Sequence, residues 1–437
     1  MAVAPRLVAL AEQMLGAAVP VRIRAWDGSE AGPPGTEGGP VVVVRSRRAL
    51  RRLLYKPGEI GLARAWVAGD VDVEGDLYEV LGALAPLVWE RADEGLAAPS
   101  GRRRLAAVRE FAALAGPGLP PPPPREEVRQ RRGGPLHSLR RDRRAISHHY
   151  DVGNDFYRLV LGPSLVYSCA VWDDKTASLE EAQAAKLDLI CRKLDLREGQ
   201  RLLDVGCGWG SLVLHAARHY GVHATGITLS GEQAALARRR IAEEGLEERA
   251  EIRVQDYRET GDGPYDAISS VGMAEHVGAD RYREYAARLY GLLRPGGRLL
   301  NHQIARRPAP GGERGEKAYH VDAFIDAYVF PDGELAPVGR TVSLLEEAGF
   351  EVRDVEALRE HYALTLREWV RNLEERQTEA AGLTTPGRAR VWRLYMAASA
   401  LAFERARIGV NQILAVRMTP QGSSGLPLRT RDWITPI

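Results

Sequence analysis

From about Ser147 onward, short apolar runs alternate with amphipathic stretches. The runs Arg201 to Val205, Ala224 to Ile227, Ala250 to Val254, Ala267 to Val271 and Gly297 to His302 have the length of buried strands. Between them, Ser211 to Tyr220, Gly231 to Glu244 and Arg281 to Leu293 carry apolar residues at helical spacing. This alternation predicts repeated β–α units around a parallel sheet. Glu351 to Leu358 and Leu414 to Met418 read as two further strands, which brings the sheet to seven. Ala389 to Leu414, with Trp392, Tyr395, Met396, Leu401 and Phe403 among its apolar positions, predicts one long core-packed helix.

The N-terminal pattern differs. A helix at Leu7 to Leu15, strands at Val21 to Trp26 and Val41 to Arg45, and a basic helix at Ala49 to Leu54 predict a small α+β domain over residues 1–98. Gly61 to Asp76 within it is rich in Gly and Asp. Residues 99–146 read as a linker, with a helix-like segment Arg102 to Leu114 followed by five consecutive prolines up to Pro124. Such a run cannot continue a helix and favours an extended spacer. Residues 147–437 form the third segment, the α/β domain.

With 437 residues, 45% hydrophobic and 27% charged, the chain suits more than one globular domain. No apolar run approaches the roughly 18 residues of a membrane-spanning helix, and no secretory signal pattern opens the chain. A cytoplasmic protein is therefore expected. Cys169, Cys191 and Cys207 form neither a disulfide framework nor a metal-ligand spacing, so no metal is expected. Net charge is only +2, yet Gly101 to Tyr150 carries 12 Arg against 4 acidic residues. Such a segment suits an anionic partner, either a phospholipid surface or nucleic acid. No aromatic-rich surface accompanies these arginines, so nucleic acid is not expected.

The densest chemical signal is LLDVGCGWG at 202–210. Gly206, Gly208 and Gly210 follow an apolar strand, where glycine lets the backbone approach a ligand closely. Their spacing is not the dinucleotide fingerprint, and no Walker lysine follows. Asp204 at the strand end, with the β–α order, points to a class I methyltransferase (Rossmann-like) and so to S-adenosylmethionine. Such enzymes usually end the second strand with an acidic residue, but here it reads GITLS at 226–230. Thr228 and Gln233 must then supply neutral hydrogen bonds. Gln255 and Asp256 follow the third strand, Asp256 serving either the adenine amino group or a turn cap.

The chain resembles the cyclopropane fatty acid synthase family. The resemblance is carried by HYDVGNDFY at 149–157, YSCA at 167–170, LDVGCGWG at 203–210, GITLS at 226–230 and GMAEHVG at 272–278. LNHQI at 300–304, YVFP at 328–331 and HYALT at 361–365 continue it in family order. It implies a bicarbonate base held by Cys169, Glu275, His302 and Tyr362 with the Ile304 backbone, and cofactor contacts from Tyr167, Ser168 and Gly206. It further implies a lipid-binding helical cap, with Phe324 to Phe330 and the C-terminal helix walling an acyl tunnel. The N-terminal domain resembles a lipid-engaging, dimer-forming extension, which implies a homodimer or higher homo-oligomer, peripheral at the inner membrane face.

Within the family, the long N-terminal domain, FPDGEL at 330–335 and LLNH at 299–302 resemble the methyltransferases of 10-methyl branched fatty acid synthesis. That implies one-carbon transfer to an oleoyl-type double bond in a membrane phospholipid, leaving a 10-methylene chain for a flavin- or NADPH-dependent reductase. A cyclopropane product is the alternative, and a non-catalytic lipid carrier is the alternative from another class. If the basic segment meets anionic membrane, replacing Arg131, Arg132, Arg140, Arg141, Arg143 and Arg144 by Gln weakens vesicle binding. The expected loss is about 1 kcal/mol for each residue near the surface. Unchanged sedimentation with anionic vesicles would return the segment to linker status.

Overall fold

The computed structural model describes residues 2–36, 38–90, 102–128, 152–173, 177–308 and 321–428. Residues 129–150 of the arginine-rich segment, and with them His149 and Tyr150 of the first family motif, lie outside the described residues. The chain forms two compact units. One comprises Met1–Arg129, Ala323–Val329 and Thr385–Leu401; the other comprises Gln130–Asp322, Phe330–Thr384 and Ala402–Ile437.

In the first unit, β1 (Arg22–Arg24), β2 (Glu30–Ala31), β3 (Val41–Val44) and β4 (Val71–Glu74) form one sheet in the order β2-β1-β3-β4. Along β3 buried and half-buried valines alternate, as a strand with one covered face requires. The Gly- and Asp-rich stretch holds most of the helix Glu59–Val67 together with β4, and Asp76 caps the next helix by accepting the Tyr78 and Glu79 N–H groups. The helix Arg102–Ala115, expected as part of a linker, belongs to this core. Its Ala107, Leu114 and Ala115 are buried with Ala4, Leu7 and Leu10.

Arg52 anchors the proline run that follows. Its buried guanidinium pairs with Asp70 at 2.7 Å and donates to the Pro122 carbonyl at 2.7 Å. The two later segments are tied in as firmly. Trp66 donates its indole N–H to the Arg390 carbonyl at 2.8 Å, and the Arg390 guanidinium lies 4.5 Å from the Trp66 ring centroid. Arg64 forks onto Glu127, which also accepts the Tyr328 hydroxyl at 2.9 Å.

The second unit is built on β5 (Arg201–Val205), β6 (His223–Thr228), β7 (Ala250–Val254), β8 (Tyr265–Val271), β9 (Leu293–Arg306), β10 (Glu351–Ala357) and β11 (Ile408–Val416). They form the expected seven-stranded sheet, in the order β10-β11-β9-β8-β5-β6-β7. The strands β5 to β9 are parallel, and β11 runs antiparallel to both β9 and β10. Helices Leu179–Leu194, Ser211–Tyr220 and Gly231–Glu243 share one buried cluster, while Ala279–Leu292 and Val338–Glu347 pack in another. Leu179–Leu194 opens on a reciprocal capping box between Ser178 and Glu181 and ends at Asp195 in the left-handed region.

One expectation is corrected. The long C-terminal helix stops at Glu404, and Ile408–Val416 is strand β11. Ala406 adopts a left-handed φ of 52°, which breaks the helix, and nine residues of β11 then pair with β9. Pairing along a whole strand outweighs a local apolar spacing that suits a helix.

The Arg52–Asp70 pair supplies a test of the first unit. Asp70→Ala leaves a buried guanidinium without its counter-ion, which costs on the order of 3 kcal/mol. Urea unfolding should show that loss, and Arg52→Met with Asp70→Leu should recover most of it. A single-variant loss no larger than that of an exposed pair would contradict the assignment.

Candidate active site

The glycine loop joins β5 to the helix Ser211–Tyr220, and all three glycines have positive φ, at 77°, 53° and 77° for Gly206, Gly208 and Gly210. The Gly206 and Cys207 N–H groups both donate to the Ile227 carbonyl, which folds the loop back over β6. Trp209 fixes the loop from the other side by donating to Asn154 Oδ1 at 2.7 Å, with its ring 4.7 Å from Tyr157. Asn154 and Tyr157 come from the first family motif, so that motif serves the loop. A side chain added at Gly206 would meet Met273 Sδ at 2.3 Å, whereas the space before Gly208 is open as far as Gln233 Nε2 at 4.0 Å.

Around that space stand the other expected cofactor residues. Thr228 donates to Gln233 Oε1 at 2.9 Å, and Ser230 caps the helix by accepting the Gln233 N–H. Gln233 Nε2 is buried with no hydrogen-bond partner. An unpaired buried amide donor beside an open glycine turn fits a bound polar ligand. Asp204 is buried and accepts the Ser269 hydroxyl at 2.7 Å. Burial pushes its carboxyl up to about 6, while Ser269 and Lys186 pull the other way. Asp256 caps the short turn Tyr257–Glu259, and its carboxylate is gripped by Arg258 at 2.7 and 2.8 Å. Of the two readings of Asp256, this geometry is the turn cap. The Gln255 N–H donates to the Thr228 carbonyl and joins the ends of β6 and β7.

The residues expected to hold the base fall into two linked pairs and one isolated side chain. The Cys169 thiol donates to the Leu358 carbonyl at 3.6 Å, and the Tyr362 N–H donates to that same carbonyl at 3.1 Å. Leu358 N–H in turn donates to Val410, whose β11 position lies opposite Ile304. The Ile304 N–H donates to Glu275 Oε1 at 2.7 Å, leaving Glu275 Oε2 buried and unpaired. His302 is buried with neither ring nitrogen paired.

Burial dominates the electrostatics here. It pushes Glu275 up to about 7, against the pull of the Ile304 N–H. It drives His302 down to about 3, with Lys186 and Lys193 adding to the effect. It also holds the Cys169 thiol well above its ordinary range. His302 is thus a neutral imidazole, and Cys169 a thiol.

Motif residues outside this group position it. The Ala170 N–H and the Trp172 indole N–H donate to Thr365 Oγ1, and the Trp172 N–H donates to His361 Nδ1. The helix Arg359–Glu375 thereby clamps the segment that carries Tyr167, Ser168 and Cys169, with the Trp369 ring tilted against Tyr167 at 5.5 Å. Two further residues carry no signal in the local pattern. Lys186 donates to Ser168 Oγ at 2.9 Å. Gln412, opposite His302 on β11, is fully buried with both amide atoms unpaired. Composition offered a hint for the first, since Lys186 is one of only five lysines in a chain with 60 basic residues. Gln412 lies in the strand whose spacing resembles a helix.

The strand order and the glycine turn after β5 are those of a class I S-adenosylmethionine-dependent methyltransferase. The profile of the family described as Mycolic acid cyclopropane synthetase matches residues 137–413, and the chain belongs to that family. It is therefore an S-adenosylmethionine-dependent enzyme of lipid modification that acts on unsaturated chains.

The chain is 44% identical over 416 residues, 94% of both chains, to the probable fatty acid methyltransferase Rv3720 of Mycobacterium tuberculosis. It is 37% identical to the cyclopropane-fatty-acyl-phospholipid synthase of Escherichia coli, over 66% of this chain and 73% of that one. It is 31% identical to the tuberculostearic acid methyltransferase UfaA1 of M. tuberculosis, over 92% of this chain and 89% of that one. Among solved structures it is similar to the mycolic acid cyclopropane synthase CmaA1 complexed with SAH and CTAB. That match has a TM-score of 0.58 at 31% identity and covers 63% of this chain and 98% of that one.

The glycine turn gives the direct test. Gly206→Val places a branched side chain at positive φ against Met273. Calorimetric binding of S-adenosylmethionine should be lost while the far-UV circular dichroism stays that of the parent. Gly231→Ala, with open space around it, should bind normally. Parent-like affinity in Gly206→Val would refute the placement of the cofactor.

Proposed function

We propose that the enzyme transfers a one-carbon unit to the cis double bond of an oleoyl-type chain in a membrane phospholipid and leaves a 10-methylene chain. The supporting observation is the set of buried atoms without partners: Glu275 Oε2 and both ring nitrogens of His302. The alkene π pair attacks the sulfonium methyl, the carbon–sulfur pair stays on sulfur, and a cation is left on the neighbouring carbon. A hydride shift followed by proton loss from the new carbon yields the exocyclic methylene. Cys169, Glu275, His302 and Tyr362, with the Ile304 backbone that orients Glu275, would hold bicarbonate, which would supply a base beside that cation.

The protein groups suit this task. A neutral His302 donates at one nitrogen and accepts at the other, matching an anion that itself carries a hydroxyl. Glu275, with its pKa raised to about 7, is partly protonated near neutral pH and presents a donor to an oxyanion. The protonated Cys169 thiol does not compete for the cation. These same features disfavour a non-catalytic lipid carrier, which has no use for polar atoms buried without partners.

Similarity over 92% of the chain to UfaA1, a tuberculostearic acid methyltransferase, favours the methylene product over the cyclopropane ring. A flavin- or NADPH-dependent reductase would then saturate the methylene. We place the enzyme peripherally at the inner membrane face, as a homodimer or higher homo-oligomer. Among the described residues no helix is long and apolar enough to cross a membrane.

Glu275→Ala and His302→Ala should each lower turnover roughly 100-fold with cofactor affinity retained, because they act on the transition state through the anion they hold. Degassing away carbonate should slow the parent enzyme, and added bicarbonate should restore it. Full activity in either variant, or indifference to bicarbonate, would end the proposed base. Proton NMR of the product lipid should show exocyclic vinyl signals; upfield ring signals would establish a cyclopropane instead.

A further inference from the structure

Two lysines, Lys186 and Lys193, lie seven residues apart on the buried face of the helix Leu179–Leu194. Their surroundings differ. Lys193 is ion-paired with both Asp354 and Glu356. The Lys186 ammonium donates to Ser168 Oγ at 2.9 Å, and among the described residues no carboxylate comes within ion-pair distance of it. A buried ammonium with only a hydroxyl as partner is costly unless another negative group completes its surroundings. The titratable groups facing it are Cys169, Asp204 on β5, Cys191 on its own helix, His215 and His302. Burial brings its pKa down to about 8, with Cys169, Asp204 and Cys191 acting the other way.

The hydrogen bond has a directional consequence. An ammonium donates and never accepts, so Ser168 Oγ must be the acceptor and its own proton must point elsewhere. Ser168 is half-buried, next to Tyr167 on the clamped segment, so that proton is free to meet a bound ligand. The local field of Lys186 selects a negative one. The methyl donor has one anionic group, the carboxylate of its amino-acid end.

We propose that Lys186 is a positioning residue that, as an ammonium, turns the Ser168 hydroxyl proton toward the amino-acid carboxylate of the methyl donor. This rests on reading Ser168 as a contact to that donor. An arginine would not serve equally, since it is a broad planar fork, whereas the Lys186 ammonium meets the single hydroxyl of Ser168.

Calorimetry on the full chain with two probes tests it: S-adenosylhomocysteine, which has the carboxylate, and 5′-methylthioadenosine, which lacks it. Lys186→Met should lose at least tenfold affinity for the first and none for the second. Between pH 7 and pH 9 the parent should lose affinity for S-adenosylhomocysteine more steeply than Lys186→Met. The ligand's own amino group contributes equally to both slopes, so the difference reports the lysine. In a Ser168→Ala background, Lys186→Met should cause no further selective loss. Equal weakening of both probes, no weakening, or identical pH slopes would overturn the proposal with the cofactor site intact. A parent that binds neither probe would overturn the underlying reading as well. Should Lys186→Met fail to fold, Ser168→Ala alone decides: it must lower the ratio of the two affinities and remove its pH dependence, and an unchanged ratio refutes the role.

Discussion

β9 is hydrogen-bonded along both edges, and the candidate site depends on that constraint. β8 runs parallel on one side, with Val271 opposite His302; β11 runs antiparallel on the other, with Gln412 opposite His302. A strand so held cannot slip, and a slip of one residue would send each of its side chains to the wrong face. Asn301 and Gln303 therefore face one layer, where Tyr282 donates to Asn301, Asn301 to Gln303, and Gln303 to Thr341. His302 faces the other, toward Lys186 and Lys193, and its ring has no partner. Adjacent residues of one strand thus serve opposite ends. One face uses its polar groups to join layers, and the other leaves them open to a ligand.

The electrostatics follow from the same burial. Asp204 at about 6, Glu275 at about 7, Lys186 at about 8 and His302 at about 3 are each displaced chiefly by loss of water. Each moves toward its neutral form. Near neutral pH the result is a region of low net charge in which small additions of charge are felt strongly. A sulfonium donor, and the cationic intermediate proposed above, would meet few competing nucleophiles there, because the thiols stay protonated.

How far the sequence discloses this depends on the distance over which each feature is encoded. The glycine turn is written in consecutive residues, Gly206 to Gly210, and its left-handed backbone is a local necessity. The five central strands are also local, being apolar runs of the right length. The helix Arg102–Ala115 is legible as a helix, but the core it joins is decided by Ala4, Leu7 and Leu10, about a hundred residues away. β11 is misread because its apolar residues extend the stripe of the preceding helix, and only pairing with β9 distinguishes the two. Lys186 and Gln412 were silent for the same reason. Their significance lies in what stands opposite them, which no window of neighbouring residues contains.

Several polar groups at and beside the candidate site are incompletely compensated. Lys193 has two carboxylates and Lys186 a hydroxyl, although both occupy one face of one helix. Gln303 is bonded on both amide atoms, whereas Gln412, on the next strand, is bonded on neither. Gln233 Nε2, Glu275 Oε2, the two His302 nitrogens and the two Gln412 amide atoms are all buried without partners. A buried polar atom left without a partner costs about 1 kcal/mol or more, so a ligand that pairs such atoms stabilises the native chain. Ligand binding and stability in the second unit are therefore two aspects of one equilibrium, because a ligand that satisfies these atoms binds the native chain alone.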